Sequence, residues 1–265
     1  MPKTNILLIV AETANPPINT SSLRNLSEAS KTSITTVNPK KLQKQLEKAI
    51  QIHETSKDAY ICVFDLDGTI TPTNTTLLLI EQILAQRPLR QLLYKKIIKK
   101  IMYVAYLVQR KLKTRKDLQK PLLILALKGL TKEEVNRAAK VAALQAIKQA
   151  KQTDTKYIYA LMKALQNKYT VLILSKTLDP LAPHIRSLFN APTITSKLKY
   201  RDGKIAGLKR ELDKASYIQA LAGLGYKPLV TATDTPQELY PQFPVKIYIV
   251  AEEKRQRTSR QTLST

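Results

Sequence analysis

The sequence of 265 residues predicts an α/β fold: a doubly wound parallel sheet interrupted by a long all-helical insertion. Three observations carry this. Short apolar runs without polar alternation, residues 59–66 foremost, suit strands buried on both faces of a parallel sheet. Helical patterns separate those runs, and strand–helix alternation builds such a sheet. About a hundred residues between the first two core strands, 70–168, read as almost wholly helical, which is too long for a connection.

Residues 5–11 and 33–37 read as strands, with a Ser-, Thr-, Asn- and Pro-rich loop between them that has room for one short helix. The first run is short, with one Lys before it and prolines soon after, so it reads as strand rather than secretory signal or anchor. Asn38-Pro39 opens a helix over 40–53, where Leu42, Leu46, Ala49 and Ile50 recur at helical spacing. Segment 1–58 is thus a small β/α extension, either packed on the main domain or standing as a separate module. The core strands are expected at 59–66, 169–175, 229–233 and 245–250, with helices at 156–167 and 214–224. The insertion reads as helices over 77–86, 89–113, 116–128 and 131–152, the last opened by the capping box Thr131-Lys-Glu-Glu134. The expected organisation is an extension at 1–58, a core at 59–76 and 169–251, a helical cap at 77–168, and a frayed basic tail at 252–265.

A hydrophobic content of 43% supports a proper core and excludes global disorder. The single cysteine, Cys62, has no internal partner and fits a reducing compartment. No stretch approaches the roughly 18–20 apolar residues of a membrane span. The expected location is cytoplasmic, with peripheral attachment to a membrane as a variant of it. The net charge of +24 is uneven: residues 82–151 hold eighteen Lys or Arg and three acids. Such a field attracts polyanions (anionic lipid, nucleic acid or phosphorylated substrates), the alternative being that the charge only solvates Lys-rich helices.

In folds of this class ligands collect at the carboxyl ends of the strands. Asp65, Ser175 and Asp234 all fall at expected strand ends. In Asp65-Leu66-Asp67-Gly68-Thr69, one carboxylate is placed for covalent catalysis and a second, two residues on, for acid–base work. Gly68 permits a tight turn away from the strand. The competing reading is an ordinary strand-end Asp-Gly turn.

This segment resembles the first motif of the haloacid dehalogenase superfamily of phosphohydrolases, whose Rossmann-like core carries a cap. The resemblance implies that Asp65 attacks phosphorus to give an aspartyl-phosphate, while Asp67 protonates the leaving oxygen and later deprotonates water. It implies a second motif at Ser175, donating to the phosphoryl group, against the alternative of an ordinary cap. A third, at Lys214, would offset charge, against a solvent-facing lysine. The fourth is the acidic pair Asp234 and Glu238, against a helix start capped by Asp234. This last motif departs from the family twice: Thr233 replaces the usual glycine and Glu238 the usual aspartate. The implied cofactor is Mg2+, with Asp65, Asp234 and the Asp67 carbonyl as ligands and Glu238 reaching it through water. The phosphoserine-phosphatase-like branch is the nearest match. Asn74, however, stands near the place where phosphoserine phosphatase has a Glu for the substrate amine, which disfavours phosphoserine.

The expected function is therefore a Mg-dependent phosphomonoester hydrolase acting on a lipid head group or another small phosphate ester. The alternatives are a catalytically degenerate interaction protein and a nucleic-acid-directed phosphatase or binder. The last lacks clustered aromatics and any recognisable nucleic-acid module. Residues 82–116 contain no acid, and apolar Ile97, Ile98, Ile101, Val104 and Val108 interleave with lysines, so residues 89–116 suit an anionic membrane surface. Co-sedimentation with anionic vesicles checks this: binding is expected at low salt and should weaken as salt rises. Changing Lys95, Lys96, Lys99 and Lys100 to Gln should remove it, whereas equal binding by that variant would move the contact elsewhere.

Overall fold

The structure, a computed structural model, describes residues 4–11, 32–37, 44–45, 59–86 and 119–251. The loop expected at 12–31, most of the helix at 40–53, the helix at 89–113 with its basic amphipathic stretch, and the tail at 252–265 lie outside the described residues. The chain forms two compact units, Met1–Pro72 with Gln149–Leu174 and Asp213–Thr265, and Thr73–Lys148 with Ser175–Leu212. These limits differ from a division in chain order at 76/77 and 168/169: residues 149–168 group with the sheet, and 175–212 with the helices.

The first unit is built on strands β1 (Thr4–Ala11), β2 (Thr32–Val37), β3 (Tyr60–Phe64), the first part of β4 (Thr170–Leu178), β7 (Lys227–Thr233) and β8 (Val245–Ala251). Their order is β2-β1-β8-β7-β3-β4. β3 pairs in parallel with both β4 and β7, and β7 in parallel with β8. All five residues of β3 are buried, as are 171–174 of β4 and 245–249 of β8. The apolar runs read from the sequence thus become the parallel centre, buried on both faces. β1 runs antiparallel to β8 from Thr4↔Ala251 to Val10↔Val245, and β2 antiparallel to β1. The amino-terminal strands therefore extend the main sheet and are not a separate module. Helix α4 (Lys156–Gln166) buries Ile158, Leu161, Met162 and Leu165, one stripe at helical spacing.

The second unit holds α1 (Thr75–Ala85), α2 (Gln119–Leu127), most of α3 (Lys132–Gln152), α5 (Ala182–Phe189) and the hairpin of β5 (Thr193–Arg201) and β6 (Lys204–Arg210). Asn74 caps α1, its Oδ1 accepting from the Leu77 N–H at 3.1 Å. The expected capping box forms: Thr131 N–H donates to Glu134 Oε2 at 2.8 Å, and Glu134 N–H to Thr131 Oγ1 at 3.3 Å. The inner face of α3 is almost entirely alanine, with Ala138, Ala139, Ala142, Ala143 and Ala146 buried. The hydroxyls of Thr75 and Thr76 meet that of Thr177 at 2.8 and 3.0 Å.

One charge within the sheet works against stability. Lys246 on β8 is in register with Thr231 and Ile9 and is 1% exposed, with no hydrogen bond or ion pair among the described residues. Burial pushes its pKa down to about 8. The unfolded chain holds this proton up to about pH 10.4 while the folded chain releases it near 8, so stability should rise with pH between those values. Urea unfolding of wild type should show that rise. Lys246→Met should flatten it and stabilise the protein at neutral pH by on the order of 1–3 kcal/mol. An unchanged or lowered midpoint in the variant would show that the ammonium is well solvated.

Candidate active site

Asp65 is the first residue past β3, and its N–H donates to the Ala232 carbonyl of β7 at 2.9 Å. That bond fixes its backbone beside the carboxyl end of the neighbouring strand. The chain then turns sharply. The Leu66 carbonyl accepts from the N–H groups of Thr69, Ile70 and Thr71 at 3.3, 3.0 and 2.9 Å, and from Thr71 Oγ1 at 3.2 Å. Leu66 and Ile70 are fully buried and anchor the loop, while Asp65 before them keeps only 11% of its side chain exposed and Asp67 between them is half-buried.

Gly68 has φ +79°, in the left-handed region. A Cβ there would collide with Oδ2 of Asp234 and lie 2.7 Å from its Cγ. The Asp234 carboxylate, just past the end of β7, therefore rests directly on the glycine of the loop. It does not cap a helix, because the short 3-10 turn Pro236–Glu238 begins from Thr235.

Lys214 is the first residue of helix α6 (Lys214–Gly223), whose N-cap Asp213 accepts from Ala215 and Ser216 N–H at 3.1 and 3.3 Å. The Lys214 side chain is 5% exposed, so the solvent-facing reading fails. Its Nζ lies 2.7 Å from Asp65 Oδ1 and 2.5 Å from Glu238 Oε2. Asp65 Oδ1 also accepts from Leu66 N–H at 2.8 Å, and Glu238 Oε2 from Thr233 Oγ1 at 3.3 Å. Burial pushes the Asp65 carboxyl up to about 7; Lys214 opposes this, while Glu238 and Asp67 add to it. Burial alone would lower Lys214, but Asp65 and Glu238 outweigh it and hold its pKa above the ordinary value. Tyr240, half-buried, is raised by burial and by the charges of Glu238, Asp65 and Asp213.

The first unit thus brings together Asp65, Lys214 and Glu238, with Asp234 set against the loop that carries Asp67. Ser175 is described with the second unit. It lies within β4, which continues to Leu178, so it does not end the strand as the sequence suggested. Its side chain is buried, and its Oγ accepts from Thr177 N–H at 3.2 Å. Among the described residues no three Asp, Glu, His or Cys side chains gather into a cluster that could hold a metal unaided. Glu238 is engaged by Lys214 and Thr233. The carboxylates of Asp65 and Asp234 and the Asp67 carbonyl are hard oxygen donors of the kind that Mg2+ takes. Sequence reading missed Thr233 and Tyr240 as neighbours of the acids. The first was noted only as an irregular replacement, and the second carries no motif.

The chain belongs to the family of haloacid dehalogenase-like hydrolases, which it matches over residues 62–237. Among solved structures it is similar to a phospho-aspartyl intermediate analogue of phosphoserine phosphatase, at 18% identity and TM-score 0.47, covering 71% of this chain and 85% of that one. A phosphoserine phosphohydrolase-like protein from Francisella tularensis subsp. tularensis SCHU S4 is 21% identical, with TM-score 0.48, over 68% and 81% of the two chains. A HAD family hydrolase from Salmonella enterica subsp. enterica serovar Typhi is 12% identical, with TM-score 0.46, over 91% and 87%. None of the curated proteins matches the chain.

Gly68→Ala should strain the left-handed turn by about 1–2 kcal/mol and drive Asp234 from its place. A lowered melting temperature together with lost hydrolase activity is expected. Gly223→Ala, whose Cβ meets nothing within 4 Å, serves as the neutral control. A Gly68→Ala protein as stable and active as that control would remove the close approach from the site.

Proposed function

We propose that the chain is a Mg-dependent phosphomonoester hydrolase that works through an aspartyl-phosphate on Asp65. The observation that carries this reading is the ion pair of Asp65, the first residue past β3, with the buried Lys214. A bound Mg2+, held by Asp65, Asp234 and the Asp67 carbonyl, would supply positive charge to oppose that of the phosphoryl oxygens.

An Asp65 carboxylate oxygen attacks phosphorus and the ester P–O bond breaks. Asp67 gives its proton to the departing alkoxide. Asp67 then takes a proton from water, whose oxygen attacks the same phosphorus. Phosphate leaves and the Asp65 carboxylate is restored. The nucleophile must be ionised, and Lys214 favours that form against the effect of burial. Glu238 holds Lys214 in place, a role that follows from the 2.5 Å contact better than direct coordination does. The role of Ser175, donating to the phosphoryl group, rests on the family resemblance. The substrate class, a lipid head group or another small phosphate ester, rests on the charge of the chain.

Release of inorganic phosphate from p-nitrophenyl phosphate, with Mg2+ and then with a chelator, tests the reading. Asp65→Asn should reduce turnover by more than about a thousandfold while leaving the fold intact, since an amide cannot accept the phosphoryl group. Lys214→Gln should lower kcat strongly, and chelation should abolish activity. Turnover of Asp65→Asn within a few-fold of wild type would take the nucleophile's role away from Asp65. Absence of phosphate release from any phosphate ester, with the fold intact, would leave the degenerate interaction protein as the better reading.

A further inference from the structure

The second unit contains a cavity of about 480 Å3 that the proposed reaction does not use. Its wall comes from two places: Lys128 and Gly129 in the loop between α2 and α3, and Lys199, Arg201, Asp202, Lys204, Ile205 and Ala206 in the β5–β6 hairpin. The two are fastened backbone to backbone. Gly129 N–H donates to the Ile205 carbonyl at 2.9 Å, Ile205 N–H to the Leu130 carbonyl at 2.9 Å, and Lys132 N–H to the Gly203 carbonyl at 3.3 Å. Gly129, with φ +80°, makes the turn that lets the loop reach the hairpin.

Four cations and one acid line this cavity. All four cations are exposed, and none has an ion pair among the described residues. Arg201 and Lys204 are register partners on adjacent strands. Like charges placed directly opposite are destabilising, so the hairpin bears a repulsion that an anion would relieve. Opposite Lys199 stands Gly207, and Ala206 also lines the wall, so small residues leave room beneath the charged heads. The volume falls within the range of small-molecule pockets. Arg201 presents a planar fork suited to phosphate oxygens, while the lysines act as point charges around it.

We propose that this cavity binds a small ligand carrying two or more negative charges on phosphate groups. Its lining residues belong to the second unit, whereas Asp65, Lys214 and Glu238 belong to the first, and the proposal does not depend on the proposed hydrolysis. The phosphate chemistry is shared by soluble polyphosphorylated molecules and by lipid head groups.

Isothermal titration with inorganic pyrophosphate and co-sedimentation with phosphatidylcholine vesicles containing phosphatidic acid are run side by side at low salt. Two charge-matched variants are compared: Lys199→Gln/Lys204→Gln in the cavity, and Lys209→Gln/Arg210→Gln on the same hairpin outside it. The cavity variant is expected to lose about tenfold in affinity, and the control to stay within about twofold, because a diffuse field responds only to total charge. A cavity-dependent loss in the pyrophosphate arm assigns a soluble ligand, and one confined to the vesicle arm assigns a lipid head group. Equal loss in the two variants, or none in the cavity variant in either arm, overturns the proposal. Both readouts are of binding, so they stand apart from any failure to detect phosphate release.

Discussion

The buried ammonium of Lys214, held between Asp65 and Glu238, is the contact on which the rest of the candidate site depends. It joins three parts of the chain: the turn after β3, the first residue of α6, and the 3-10 turn after β7. Taking a lysine out of water costs several kcal/mol, recovered only through close partners with good geometry. Position one of a helix is also a poor place for a cation, because the helix dipole is positive there. The Asp213 carboxylate offsets this by accepting from two of the helix's free N–H groups, while the Lys214 ammonium meets Asp65 and Glu238. Removing either acid would leave the ammonium with a single partner in a nearly dry place.

Charge is distributed against the character of the whole molecule. The chain carries +24, yet Asp65 and Glu238 both meet the one Lys214, and the charge of Asp67 also reaches Asp65. Burial first, and then the charges of Glu238 and Asp67, raise Asp65 to about 7 despite its ion pair. A site of this composition repels a phosphate ester unless a cation is added, whereas the basic surface attracts one from a distance. The two features are complementary in the proposed reaction: the long-range field collects anions, and local compensation admits one to the acids.

The parallel centre of the sheet was legible because residues buried on both faces have nothing to alternate with, so β3, β4 and β8 stand out as apolar runs. The β5–β6 hairpin leaves a fainter mark, because in β5 the buried Leu198 stands between the exposed Lys197 and Lys199 and forms no apolar run. Helix α5 carried usable signals that were not taken up: Pro183 in its first turn, Ile185 and Phe189 four apart, and Asn190 in the left-handed conformation as its stop. Asp65, Lys214 and Asp234 were found by motif order along the chain. The partner of Glu238 was not, since a contact across twenty-four residues leaves no trace in spacing.

The two departures from the family pattern, Thr233 for glycine and Glu238 for aspartate, meet in space. Thr233 Oγ1 donates to Glu238 Oε2 at 3.3 Å and accepts from Thr235 N–H at 3.1 Å. Thr233 is 1% exposed, and a hydroxyl buried there without a partner would cost about 1–3 kcal/mol. A glycine at 233 would present no hydroxyl, and Glu238 would then lose one of its two fixed contacts. Each substitution thus meets a need the other creates, and together they hold the carboxylate on Lys214. A site drifting out of use would accumulate unmatched polar groups. Here the changed motif remains satisfied where it touches the cation, which favours a working centre over a relic of one.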